Sequence, residues 1–191
     1  MQFHSRFAKC LLAMTVFATC GAAHAGLDGR TFEGYYALPS PDTPFAESTS
    51  SSPSFVVGAG AEATIDLQSV TDFVVDFSDA SLSISFNTIL SNPTLNAFPF
   101  SGLVFNLLSP GSLGITDAHV GAGTTLANFS DSRISFSDGR IAIDFAGLSY
   151  DDSTEVNIEF DSVSAAPEPG TYALMLAGLA AVGLAARRRR G

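Results

Sequence analysis

Beyond residue 25 this chain contains no cysteine, no lysine and no tryptophan, and His119 is its one histidine. Each absence excludes something. Without a thiol there is no disulfide, no thiolate metal site and no cysteine nucleophile. One histidine rules out a multi-histidine zinc centre, and His119 reads as a strand or loop residue with no chemical role. Lacking tryptophan, the chain has only Tyr35, Tyr36 and Tyr150 as phenolic rings before residue 167, a modest supply for stacking a sugar. There is no G-x-S-x-G elbow, and "GAGAEAT" and "GAGTT" lack the lysine of a phosphate loop. No catalytic constellation emerges, and no cofactor or metal is expected.

Basic charge is equally scarce. Between residues 26 and 166 the bases are Arg30, Arg133 and Arg140, set against eighteen acids (the chain's nineteen less Glu168), a net charge of −15. Such a surface repels nucleic acid and anionic headgroups. Abundant carboxylates leave paired-acid glycoside hydrolysis open by residue type, but their number removes specificity. "YDDSTE", residues 150–155, groups Asp151, Asp152 and Glu155 without the alternating ligands and central glycine of an EF-hand loop, so it reads as a solvated acidic turn.

What is present begins with a leader. Arg6 and Lys9 precede an apolar stretch over residues 11–18, and Ala23-His24-Ala25 follows with small residues at both specificity positions. These parts in this order form a secretory signal peptide, residues 1–25, cleaved between Ala25 and Gly26. A lipoprotein signal ending at Cys20 fits less well, because Phe17 and Thr19 stand where smaller or aliphatic residues are usual. Cys10 and Cys20 both lie inside the leader, so the mature domain must be held by its hydrophobic core alone.

Residues 26–166 read as one acidic all-β domain, an antiparallel β-sandwich or jelly roll. A strand is expected over 32–38, then a long surface loop or linker rich in Pro, Ser and Thr over 39–54. Further strands are expected over 54–58, 63–67, 102–108, 114–120 and 155–163. "FPFSGLVFNLL" is too short to span a bilayer and reads as a central buried strand. In "SRISFSDGRIAIDF" a two-residue type I′ turn at Asp138-Gly139 pairs Ser137 with Arg140, Phe136 with Ile141 and Ile134 with Ile143. It also sets Arg133 opposite Asp144. In "TDFVVDFSDASLSISF" a turn over residues 78–81 pairs Phe77 with Leu82, Val75 with Ile84 and Phe73 with Phe86. That register leaves Asp72, Asp76, Ser83 and Ser85 toward solvent. Sixteen phenylalanines suggest a core built on that side chain.

The chain closes with "PEPGTYALMLAGLAAVGLAARRRRG", residues 167–191. Its apolar run over 172–186 would form a helix about 22 Å long, short of a hydrocarbon core of about 30 Å. Flanking residues extend it to 171–186. Four arginines, Arg187, Arg188, Arg189 and Arg190, favour the cytoplasmic side. A helix with no polar face makes a poor last helix for a soluble domain.

Pro167-Glu168-Pro169, a short hydrophobic helix and a terminal arginine cluster together resemble the PEP-CTERM sorting signal of Gram-negative bacteria. The same segment is also labelled an ice-binding-protein C-terminal domain, though Thr124-Thr125 is no regular threonine array. The resemblance implies export and transient retention in the inner membrane. Processing would be by an exosortase that recognises Pro167, Glu168 and Pro169, with Arg187–Arg190 setting topology. It implies the cell surface or exterior as destination, with the export machinery, the exosortase and extracellular polysaccharide as partners. Two readings of the mature domain stand side by side. One is a structural or adhesive matrix component; the other is a carbohydrate-binding module or carbohydrate-active enzyme.

Overall fold

The computed structural model describes residues 26–162 together with residues 177 and 178. Ala23, Ala25, the sorting motif Pro167-Glu168-Pro169, the expected membrane helix over 171–186 and Arg187–Arg190 lie outside the described residues. Ala177 and Gly178 alone, of that helix, are described, and both are helical. Among the described residues no helix is long and apolar enough to cross a membrane.

Eleven strands and one 3₁₀ turn make up the described domain. The strands are β1 Thr31–Ala37, β2 Ser48–Ser50, β3 Ser54–Val56, β4 Ala63–Leu67, β5 Thr71–Phe77, β6 Ser81–Thr88, β7 Gly102–Leu107, β8 Ile115–Val120, β9 Ile134–Ser137, β10 Arg140–Asp144 and β11 Glu155–Ser162. They form two antiparallel sheets, one ordered β3-β1-β7-β10-β9 and the other β2-β4-β5-β6-β11-β8. The all-β expectation therefore holds, and "FPFSGLVFNLL" supplies β7, the middle strand of the smaller sheet. The stretch expected as loop or linker over 39–54 is different. It contains β2, which pairs with β4 through Ser48–Leu67 and Ser50–Ile65, so this segment is stitched to the larger sheet. Its three short polar residues show no period-2 pattern, and the neighbouring edge alone makes them a strand.

Strand periodicity explains the interior. In β5 and β6 every second residue is buried: Phe73, Val75 and Phe77 on one, Leu82, Ile84 and Phe86 on the other. Their register is Phe77–Leu82, Val75–Ile84 and Phe73–Phe86, as the turn over 78–81 requires. Ser78 N–H donates to the Ser81 carbonyl at 2.9 Å and closes that turn. The partners Asp72, Asp76, Ser83 and Ser85 are half-buried on the outer face.

Rings join the two sheets. Phe32 of β1 stacks on Phe77 of β5 at 5.1 Å, and Tyr36 of β1 stacks on Phe73 of β5 at 5.5 Å. Phe105 of β7 meets Phe77 edge-on at 5.0 Å, while Phe145 lies 6.1 Å from Phe73 and 5.2 Å from Phe86. Offset and edge-to-face pairs of this kind add about 0.5–1.5 kcal/mol each beyond simple burial. Polar atoms inside are paired. The Tyr36 hydroxyl, whose pKa burial pushes up to about 12, shares a 2.7 Å hydrogen bond with Ser101 Oγ. The Tyr150 hydroxyl lies 2.7 Å from Thr71 Oγ1. Among the described residues no buried side-chain nitrogen or oxygen lacks a partner.

The β9–β10 hairpin has the expected pairing, Ser137–Arg140, Phe136–Ile141 and Ile134–Ile143, but a different turn. Neither Asp138 nor Gly139 has a positive φ, so the turn is not type I′. Its carbonyls are engaged from outside the hairpin: Leu113 N–H donates to Asp138 O and Leu107 N–H to Gly139 O, each at 2.8 Å. Two successive positive φ values occur instead at Gln68 and Ser69, 56° and 57°, between β4 and β5. There Gln68 N–H donates to Glu47 O at 3.0 Å and Ser69 N–H to Asp66 Oδ1 at 3.0 Å. Contacts hold that conformation without glycine. Phe136 also departs from expectation: it sits at the sheet edge, 36% exposed, outside the hydrophobic core. Arg133 does meet Asp144, at 3.9 Å, but from the 3₁₀ turn Asp131–Arg133 and not from a strand. Its Nη1 also donates to the carbonyls of Asp144 and Ala146 at 3.3 and 3.1 Å.

Phe77→Ala should lower unfolding free energy by about 3–5 kcal/mol in urea denaturation, because it leaves a cavity where both sheets meet. Two glycines should respond very differently to substitution by alanine. A Cβ on Gly139 meets nothing within 4 Å, so Gly139→Ala should change stability by less than about 0.5 kcal/mol. A Cβ on Gly102 would stand 1.9 Å from the backbone oxygen of Ile143, so Gly102→Ala should part β7 from β10 and sharply reduce soluble yield.

Candidate functional site

Three surface features collect the side chains able to do chemistry, and each is explained by strand geometry. On β8, Asp117 and His119 share a face because they are two residues apart. β11 brings Asp161 opposite Asp117, and the 3₁₀ turn brings Asp131. His119 Nε2 lies 3.5 Å from Asp117 Oδ2 and 3.7 Å from Asp161 Oδ2, and its Nδ1 lies 3.7 Å from Asp131 Oδ2. Asp131 Oδ1 accepts the Val120 N–H at 2.7 Å, which ties the 3₁₀ turn to the strand. The sequence shows the pairing of Asp117 with His119, but the arrival of Asp131 and Asp161 depends on the fold. All four side chains are about half exposed or more, so their attractions are screened and individually worth under about 1 kcal/mol.

At one end of the larger sheet, Asp66, Asp72 and Asp152 border a concavity of about 310 Å³ with Thr71, Asn87 and Thr88. Asp66 and Asp72 stand directly opposite one another in the ladder. Two of these carboxylates already accept backbone donors, Asp66 from Ser69 N–H at 3.0 Å and Asp152 from Thr88 N–H at 2.9 Å. Asp151 is similarly engaged. Its Oδ1 accepts Ser153 N–H at 2.9 Å, Ser153 Oγ–H at 2.8 Å and Thr154 Oγ1–H at 3.0 Å. Those bonds, the Ser153 backbone first, hold its pKa below the usual carboxylate range. "YDDSTE" is therefore a carboxylate-capped turn. Among the described residues no group of three or more His, Cys, Asp or Glu is placed to hold a metal ion.

The third feature lies on the outer face of the smaller sheet. Arg140 Nε donates to Asn106 Oδ1 at 2.9 Å and its Nη1 to Asp42 Oδ1 at 2.5 Å. A shallow concavity of about 180 Å³ runs beside it past Pro41, Ser135, Ser137 and Ala142. A sugar platform would need an aromatic ring here. Phe136 alone supplies a ring at the rim of the hollow; it is 36% exposed and pairs with Ile141 in the ladder. Tyr35 is half-buried, its hydroxyl donating to Pro41 O at 3.1 Å.

The ends of the described domain lie together. At the start, Leu27 N–H donates to Asp79 O at 2.9 Å; near the finish, Phe160 N–H donates to Ala80 O at 2.8 Å. Both strokes of the chain meet the β5–β6 turn, so entry and exit occupy one pole. β11 ends at Ser162, five residues before Pro167, a reach of about 17 Å at full extension.

Residues 165–190 match the family model of the PEP-CTERM protein-sorting motif. No curated protein and no solved structure matches the chain. The C-terminal segment is thus a PEP-CTERM sorting signal. That motif marks an exported protein, processed by an exosortase and sorted to the cell surface or exterior.

The capped turn has a pH signature. A carboxylate whose pKa is lowered by folding stabilises the native state above its unfolded value near 3.9, and this contribution disappears as pH falls through the folded value. Asp151→Asn cannot titrate. Wild type should therefore lose more thermal stability than Asp151→Asn as pH is lowered from about 5 to about 3, measured by circular dichroism melting.

Proposed function

We propose that this chain is a structural or adhesive component of the extracellular matrix, delivered by its C-terminal signal and lacking catalysis of its own. The observation that carries the reading is the sorting motif at residues 165–190, set directly after the last strand of a β-sandwich. In this reading the leader, residues 1–25, starts export and leaves Gly26 as the mature N-terminus. The tail over 171–186 then holds the chain in the inner membrane. Its weakly apolar helix, about 8 Å short of the bilayer core, suits a transient state, and Arg187–Arg190 hold their end in the cytoplasm. Pro167 and Pro169 keep the motif extended for the exosortase.

The domain supports this role in two ways. With entry and exit at one pole, it can close its sheets while both ends are still tethered. Its outer face on the larger sheet carries Asp66, Asp72, Asp76, Glu155, Glu159, Asp161 and Asp117, an acidic surface that repels anionic headgroups and keeps the domain off the bilayer. Polysaccharide at the cell surface is the proposed partner. Its hydroxyls can be met by the serine and carboxylate rows of that face, with no need for a pocket.

The test is to follow the tail. Replacing Pro167, Glu168 and Pro169 with alanine should leave export intact but accumulate a membrane-bound form heavier by the uncut tail, seen by intact-mass spectrometry of membrane and surface fractions. Neutral residues in place of Arg187–Arg190 should reduce retention at the membrane before processing. Mature wild-type protein that still carries Arg187–Arg190 would sink the proposal, because the tail would then be a permanent anchor.

A further inference from the structure

The first residues of the described domain are unusually confined. Gly26 and Leu27 are buried, although they stand next to the Ala-x-Ala sequence. A Cβ built on Gly26 would lie 1.7 Å from Asp79 Oδ1 and 2.7 Å from Oδ2, so the carboxylate occupies the space that any side chain at residue 26 would need. Asp28 N–H reaches the same Oδ1 at 3.4 Å, and Leu27 N–H donates to the Asp79 backbone carbonyl. Gly29 N–H donates to Val57 O at 3.0 Å, which fixes the far side of the segment. Standard bond lengths then place the Gly26 nitrogen within about 4 Å of Asp79 Oδ1. Among the described residues Asp79 has no cationic side chain within 4 Å.

We propose that the α-ammonium released at Gly26 by leader cleavage is the missing partner of Asp79, and that this ion pair locks the N-terminal segment onto the β5–β6 turn. The inference rests on the leader reading. Hydrolysis of the Ala25–Gly26 bond adds one water, leaving a carboxylate on Ala25 and a primary amine on Gly26 that protonates at neutral pH. Before cleavage the same nitrogen is an amide with one N–H and no charge. Afterwards it carries three donors and a full positive charge, and charge-assisted hydrogen bonds are roughly twice as strong as neutral ones. Any residue other than glycine at the cut would push Asp79 aside. N-terminal processing therefore tightens the same pole through which the C-terminal tail leaves, since Ala80 in the next position receives the Phe160 N–H.

The composition supplies a clean experiment. No lysine follows residue 25, so the Gly26 amine is the only primary amine of the mature chain. The full chain is expressed with its own leader in a Gram-negative host, and the exported form is purified and weighed intact. Acetylation of the amine removes its charge, whereas reductive dimethylation keeps it. Acetylation should lower the melting temperature by about 1–3 °C, as expected for losing one ion pair to an exposed carboxylate, and dimethylation should leave it nearly unchanged. In Asp79→Asn, which keeps the backbone acceptor for Leu27, acetylation should have no effect. An N-terminus elsewhere than Gly26 overturns the leader reading and this proposal together. With Gly26 confirmed, an acetylated wild type that melts with the dimethylated one overturns the ion pair alone, as does equal loss in wild type and Asp79→Asn.

Discussion

The ring stack between the sheets is the contact on which everything else in the domain depends. Phe32, Tyr36 and Phe105 from the smaller sheet interleave with Phe73, Phe77 and Phe86 from the larger one, and Phe145 closes the row. A domain with no disulfide and a net charge of −15 has strong internal repulsion and no covalent staple. Burial of apolar surface, at about 25 cal/mol per Å², must outweigh both that repulsion and chain entropy. Phenylalanine suits the task because it buries a large area with few rotatable bonds and no polar atom to satisfy.

Given that core, the two outer faces diverge. On the smaller sheet, Ala37, Phe100, Val104 and Ala142 form a second small cluster with Tyr35 packed on it, and Asp42 reaches Arg140 from the segment after β1. The larger sheet keeps a bare outer face of serines, asparagines and carboxylates. Like charges stand directly opposite at Asp66–Asp72 and Asp117–Asp161, arrangements that cost stability within a ladder. Arginine is spent elsewhere. Arg30 donates to the carbonyls of Pro110 and Ser112, and Arg133 to those of Asp144 and Ala146. Among the described residues the three arginines act as braces between loops and strands and do not neutralise the acidic face.

Sorting and fold meet at one pole. The turn over residues 78–81 receives the start of the domain through Asp79 and the end of its last strand through Ala80. The signal that the exosortase reads begins within about 17 Å of Ser162.

Much of this was legible in the chain itself. Period-2 burial in "TDFVVDF" and "SLSISF" set the β5–β6 register, since a slip of one residue would turn three phenylalanines and an isoleucine to water. The order of Pro-Glu-Pro, apolar run and arginines identified the C-terminal address, because such signals act through local composition and position. Other features depended on partners distant in sequence. β2 is a strand only because β4 offers an edge, and the turn at Asp138-Gly139 yields its carbonyls to Leu107 and Leu113. Gln68 and Ser69 hold positive φ because Glu47 and Asp66 accept their N–H groups. The nearness of Gly26 to Asp79, and of His119 to Asp131 and Asp161, arises in the same way. Alternation along a strand is a property of consecutive residues, so the sequence by itself determines it; which loops, termini and charges share a surface depends on how the two sheets close, and only the tertiary structure decides that.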